Sequence, residues 1–137
     1  MHKSALAGYS GTPLPKKLGI KAGYVVALVG APQGFEKTLG RLPDDVQLRK
    51  QARGKPDLVV WFARSRKELE SRVKRMGALA GVGGLWIAWP KKASGLATDL
   101  SQSDVRKVGL ASGLVDYKVA AIDETWSGLK FARRKPR

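Results

Sequence analysis

The chain has 137 residues, 43% of them hydrophobic, with no cysteine, one histidine and a formal net charge of +15 from 26 basic and 11 acidic side chains. That size and composition suit one globular domain over residues 1–137, with an ordered part from Tyr9 to Arg133 and a mobile basic tail after it. Disulfides, thiolate chemistry and cysteine-bound metal are excluded, and a lone His2 leaves no histidine-based triad or His-rich metal site.

The first element expected is a short helix in "YSGTPLPKKLGI". Thr12 suits its N-cap, Pro13 its first position and Gly19 its left-handed stop. "GYVVALVG" (23–30) is an almost continuous apolar run between glycines, the pattern of a strand buried on both faces. "APQGFEKTLG" gives a turn and a brief helix, and "DVQLRK" a short polar strand suited to a sheet edge. After the turn "RGKPD", "LVVWFA" (58–63) is a second buried strand.

Ser65 and Glu68 have the spacing of a capping box. The helix they open places Leu69, Val73, Met76 and Ala80 on one stripe, opposite Arg66, Lys67, Lys74 and Arg75. Glu68–Arg72 and Glu70–Lys74 lie at favourable i,i+4 spacing. "GVGG" ends that helix, and "LWIAW" is a third buried strand. Ser101 and Asp104 resemble a second capping box, opening a helix that runs to Gly113. "YKVAAID" and "LKFARR" flank the turn "ETWSG" as a hairpin.

Strands alternating with helices, then a hairpin, describe an α/β fold. A three-layer sandwich is expected, with helix-containing crossovers making a mostly parallel sheet and the C-terminal strand antiparallel.

The order of elements resembles a trimmed Rossmann-like methyltransferase domain. "LGIKAGYVVALVGAP" looks like its first strand and loop, "DLVVWF" and "GGLWIAWPK" like its central strands, and "KVAAIDETWSGLKFARR" like its closing hairpin. Two elements of that family's cofactor site are not matched. "VGAPQGF" has Ala31 and Pro32 where a glycine-rich loop is usual, and Arg49 and Lys50 stand where an acidic residue holds the ribose hydroxyls. No S-adenosylmethionine binding and no resident cofactor are therefore expected. A closer resemblance is to the bacterial family called domain of unknown function 3052. It is carried by "YSGTPLPKKLGIKAG", "WPKKASGLATDL" and "DETWSGLKF". That resemblance implies no assigned activity.

Ligands of open α/β sheets bind beyond the carboxyl ends of the parallel strands. Four loops fall there: "GAPQGF", "ARSRKE", "WPKKASGLATD" and "DETWS". The candidate ligand-binding residues are Lys91, Lys92, Ser94, Thr98, Asp99, Asp123, Glu124, Thr125 and Ser127. In the functional reading the lysines supply charge, Ser94 and Thr98 supply hydroxyls, and the helix start at Ser101 supplies N–H donors. Each residue also has a structural reading: solvated lysines, helix caps at Thr98, Asp99 or Ser101, and a hairpin turn at Asp123 and Glu124. Trp126 reads as a hydrophobic lid on the core, and Tyr9, Ser10 and Thr12 as caps of the sheet edge or lining of the same cleft.

Enzymatic signatures are thin. A Ser94 pair with Lys91 or Lys92 is chemically competent, and Asp99, Asp123 and Glu124 suit magnesium, but neither spacing is a motif and no metal is expected. "GAPQGFEKT" lacks the Walker spacing. The expected function is a non-catalytic domain holding an anionic small molecule or an acidic protein segment. A nucleic-acid module, binding without sequence preference at low salt, and a residual transferase are the alternatives. The start lacks the apolar core of a signal peptide and no run spans a membrane, so a cytoplasmic location without membrane partners is expected.

Overall fold

The computed structural model describes residues 11–134. Tyr9, Ser10 and most of the basic tail lie outside the described residues. Ten helices and strands follow in chain order: α1 (Leu14–Leu18), β1 (Val25–Val29), α2 (Phe35–Leu39), β2 (Gln47–Arg49), β3 (Leu58–Phe62), α3 (Arg66–Leu79), β4 (Gly84–Pro90), α4 (Gln102–Ala111), β5 (Leu114–Ala121) and β6 (Trp126–Arg133). A single 3-10 turn, Lys92–Ser94, sits between β4 and α4.

The strands form one sheet in the order β2-β1-β3-β4-β6-β5. Neighbours from β2 to β4 are parallel. β6 is antiparallel to both β4 and β5, so the last strand enters between its two neighbours. β3 and β4 are buried along their whole length, as their unbroken apolar runs require. Successive side chains of β3 feed opposite faces. Val59 and Trp61 join α3 and α4 in one cluster with Leu69, Val73, Met76, Val105 and Phe131. Leu58, Val60 and Phe62 join α1 and α2 in the other, with Leu18, Phe35, Leu39, Trp86 and Trp126. The result is three layers: helices, sheet, helices.

Local differences from the sequence reading have clear causes. The N-cap of α1 is Pro13 rather than Thr12, with Pro13 O accepting from Lys17 N. At α3 the Ser65 hydroxyl accepts from the Glu68 N–H as expected, but the Glu68 carboxylate accepts from Arg64 N, one residue before the cap. Glu70 correspondingly pairs backward with Arg66 at 2.9 Å rather than forward with Lys74. At α4 the reciprocal box between Ser101 and Asp104 is complete. The hydrogen bond from Ser101 is the main reason the Asp104 carboxyl titrates below its ordinary range.

The hairpin is tighter than expected, so Trp126 and Ser127 belong to β6 and not to the turn. The crossover from β2 to β3 contains no helix. Residues 50–57 form a strap across the α3 side of β1, with Ala52 in the core cluster there. Asp57 pins its end by accepting Val25 N on its carboxylate and donating its own N–H to Val25 O.

One core residue breaks the apolar pattern. Lys130 on β6 is 8% exposed and donates to Leu18 O at 3.2 Å, with its ammonium over the rings of Trp86 and Tyr117. Burial, then repulsion from Lys118 and Lys21, holds its pKa below the ordinary 10.5. The folded state therefore sheds this proton before the unfolded chain does, and its penalty fades as pH rises towards 10.5. Leu18 O also accepts from Trp86 Nε1 at 2.8 Å, so removing the lysine leaves no orphan acceptor. Lys130→Met is expected to be at least as stable as the wild type at pH 7. Its advantage shrinks as pH rises to about 10. Urea melts across pH would show this; a loss above about 1 kcal/mol at pH 7 would contradict it.

Candidate functional site

The first crossover leaves β1 towards β2, and the next returns past β1 to β3. The switch-point crevice of such a sheet therefore opens between the carboxyl ends of β1 and β3. Gly30 ends β1 with φ 69°, and a Cβ there would lie 3.0 Å from Phe62 O and 3.3 Å from an Arg64 guanidinium nitrogen. Arg64 leans over the crevice. Its guanidinium carbon sits 5.0 Å from the centre of the Trp126 ring and its Nη1 reaches Phe62 O at 3.4 Å. Beneath it, Phe62 packs edge-on against Trp126 and Phe35, with ring centres 5.0 and 4.9 Å apart. The crevice is floored by aromatic rings and roofed by one arginine. Trp126, 2% exposed, is core and not an open stacking platform.

The loop after β4 is braced at both ends. Lys91 donates its N–H to Thr125 O at 2.8 Å and its Nζ to Asp123 O at 2.7 Å, tying the loop to the hairpin turn. Asp123 Oδ1 accepts both Thr125 N and Trp126 N at 2.8 Å, which shapes that turn. Ser94 Oγ donates to Lys91 O and accepts Leu96 N. Farther on, Thr98 Oγ1 donates to Arg64 O at 2.9 Å and accepts Leu100 N. Asp99 Oδ1 accepts Arg66 N at 2.7 Å, capping the start of α3 and not of α4.

The expected meeting of "WPKKASGLATD" with the hairpin turn is thus present. Lys91, Asp123 and Thr125 come together, while Thr98 and Asp99 go to the start of α3. Lys92 and Glu124 are exposed, and Ser127 lies in β6 opposite Trp89 and Ala121. The α4 start offers fewer donors than expected, because its capping box already takes Ser101 N and Asp104 N.

The edge is cationic beyond this loop. Arg49 ends β2, and Arg49, Lys50, Gln51 and Arg53 line a groove of about 620 Å³. Arg64, Lys91 and Lys92 follow at the ends of β3 and β4. Most acidic groups are occupied within the fold. Asp57, Glu68, Asp99 and Asp123 accept backbone N–H groups, while Glu70, Asp104 and Asp116 pair with arginines. Among the described residues no group of three or more His, Asp or Glu is placed to hold a metal, and no helix is long and apolar enough to cross a membrane. Arg64 and Arg53 were not singled out from sequence. Three basic residues among the five from Arg49 to Arg53, just past a strand, were the available signal for the second.

Solved structures share this arrangement. A magnesium protoporphyrin IX methyltransferase from Synechocystis PCC 6803 with bound SAM superposes with a TM-score of 0.56 at 13% identity, over 88% of this chain and 74% of that one. A ribosomal protein L11 methylase from Lactobacillus delbrueckii subsp. bulgaricus gives 0.56 at 15% identity over 89% and 76%. A SAM-dependent methyltransferase from Aquifex aeolicus gives 0.54 at 16% identity over 95% and 93%. The chain has the Rossmann-like fold of methyltransferases. At such identities the likeness concerns the fold alone. No protein-family model and no curated protein sequence matches this chain.

Proposed function

We propose that this methyltransferase-like domain, which resembles the family called domain of unknown function 3052, is a non-catalytic binding module. It holds an anionic ligand along the carboxyl edge of its sheet. The observation that carries this reading is the pairing of a crevice roofed by Arg64 over Trp126 with uncompensated cations on either side, at Arg49, Lys50, Arg53 and Lys92. Lys91, Ser94, Thr98, Asp99, Asp123, Glu124, Thr125 and Ser127 frame one flank. Lys91 and the carboxylates hold the loop in shape, and Lys92 faces the ligand. A ligand with concentrated negative charge gains from this edge, whereas S-adenosylmethionine, with its sulfonium, meets a basic site where an acid usually holds its ribose.

Titration with AMP and with S-adenosylmethionine, followed by amide shifts, tests the reading. AMP is expected to perturb Gly30, Gly54, Arg64 and Lys92. Shifts confined to the outer face of α3, at Lys67 and Lys74, would move the function to the second reading, a nucleic-acid surface. That reading draws on the net charge of +15 and on how few cations have an acidic partner. Its mark is sequence-independent binding that falls steeply with salt. Micromolar affinity for S-adenosylmethionine would favour a residual transferase instead.

A further inference from the structure

We propose that the carboxyl end of β2 is a seat for a phosphate monoester carried on ribose, formed by Arg49, Lys50 and Arg53. The proposal rests on the carboxyl-edge reading and names the ligand group that this edge selects. Arg49 lies opposite Ala27 of β1, which places the groove beside the β1–β3 crevice. In sheets of this kind the end of the second strand meets the ribose of a bound nucleotide; an acidic residue there suits hydroxyls, and an arginine suits a phosphate on the same sugar.

The groove is lined by three cations and the amide of Gln51, with no carboxylate. Asp57, the next acid along the chain, is already occupied by Val25 N. The cations sit on a held strap, not on a loose end. Arg75 Nη2 donates to Ala52 O at 3.2 Å, Ala52 is buried, and Asp57 N closes onto Val25 O. Gly54, at φ 71°, lets the strap turn and makes room for Arg49, whose Nη1 would lie 3.2 Å from a Cβ at that position. A guanidinium placed in this way offers paired donors to phosphate oxygens, and Lys50 and Arg53 add point charge.

The test is isothermal titration of the full chain with adenosine 2′,5′-bisphosphate, AMP and adenosine at fixed low salt. The bisphosphate is expected to bind at least tenfold more tightly than adenosine. Arg49→Ala/Arg53→Ala should erase that difference while leaving the thermal unfolding midpoint unchanged. Arg49→Lys should retain part of it, because charge survives and the paired geometry does not. A short RNA with and without a 3′-terminal phosphate separates the two sources of the group: tighter binding of the phosphorylated RNA, lost in the arginine variant, assigns the seat to RNA ends, and equal binding of the two RNAs assigns it to free nucleotides. Equal affinity for adenosine and bisphosphate overturns the seat. If Lys91→Ala/Lys92→Ala abolishes binding and the arginine pair does not, the seat fails and the carboxyl-edge reading stands. If neither double variant alters binding, both fail.

Discussion

Replacing Trp126 with alanine is expected to lower the unfolding free energy by about 3–5 kcal/mol, the range for truncating a large buried aromatic side chain. Trp126 begins β6 and is 2% exposed. Its ring closes a stack of Trp126, Phe62 and Phe35, in which both contacts are edge-to-face. Each such contact adds about 0.5–1.5 kcal/mol beyond area burial. The backbone at this residue carries the turn as well, since Trp126 N donates to Asp123 and Trp126 O accepts from Ile122 and Asp123. Those bonds survive truncation, so the loss comes from packing and from Arg64, whose guanidinium is left above an empty floor. The arginine is solvent-exposed, and its share is correspondingly small, about 0.5–1 kcal/mol. A double-mutant cycle with Arg64→Ala separates the two contributions. Denaturant melts should show a lower midpoint with the slope preserved. A cost below about 1 kcal/mol would mean that Trp126 is a removable lid and that the crevice floor lies elsewhere.

The parts of this molecule legible from sequence are those whose physics is local. Unbroken apolar runs named β1, β3 and β4 because a strand covered on both faces has no polar side. Ser101 with Asp104 announced α4 because its cap is made three residues away. The polar "DVQLRK" became an edge strand for the same kind of reason, since only Val46 and Leu48 give it an apolar face and its other side chains stay in solvent. What stayed hidden depends on contacts between distant segments. Asp99 reads equally well as a cap for the helix just after it, yet its carboxylate reaches Arg66 on the preceding helix, 33 residues back. Lys91 reads as a solvated cation, yet its ammonium is spent on Asp123 O. Lys130 sits in an ordinary-looking "LKFARR" and is buried only because β6 enters the sheet between β4 and β5. Nothing within a hairpin sequence says which of its strands goes inside. The connection at 50–57 is legible as the turn "RGKPD", with no helix between β2 and β3, but its anchoring is not: Ala52 enters the core and Asp57 bonds Val25, 32 residues back.

Gly109→Ala is expected to destabilise the domain by about 2 kcal/mol, against the helix propensity, which favours alanine by about 1 kcal/mol. Gly109 lies in the last turns of α4, and a Cβ there would stand 2.7 Å from Phe131 Cζ and 3.0 Å from Cδ2, with Cε2 closer still. These are atoms of a ring that is fully buried and held by neighbours on three sides. Phe131 pairs with Leu85 of β4 and Asp116 of β5, and it packs in the cluster with Met76 and Val105. The ring cannot swing aside as a flexible surface chain would, so α4 must lift from the sheet. Lifting α4 also strains Arg106, whose Nε is bound to Asp116 at 3.0 Å, and the Ser101–Asp104 cap at its other end. Propensity acts on the helix alone, whereas the clash acts on every layer the helix touches, and the clash therefore wins. Phe131→Leu should relieve it. The double variant is expected to be more stable than the two single costs added together, by about 0.5–3 kcal/mol. Ser103→Ala, on the exposed side of the same helix, should be neutral or slightly stabilising and serves as the propensity control. A Gly109→Ala protein as stable as the wild type would place α4 farther from β6 than the buried ring requires.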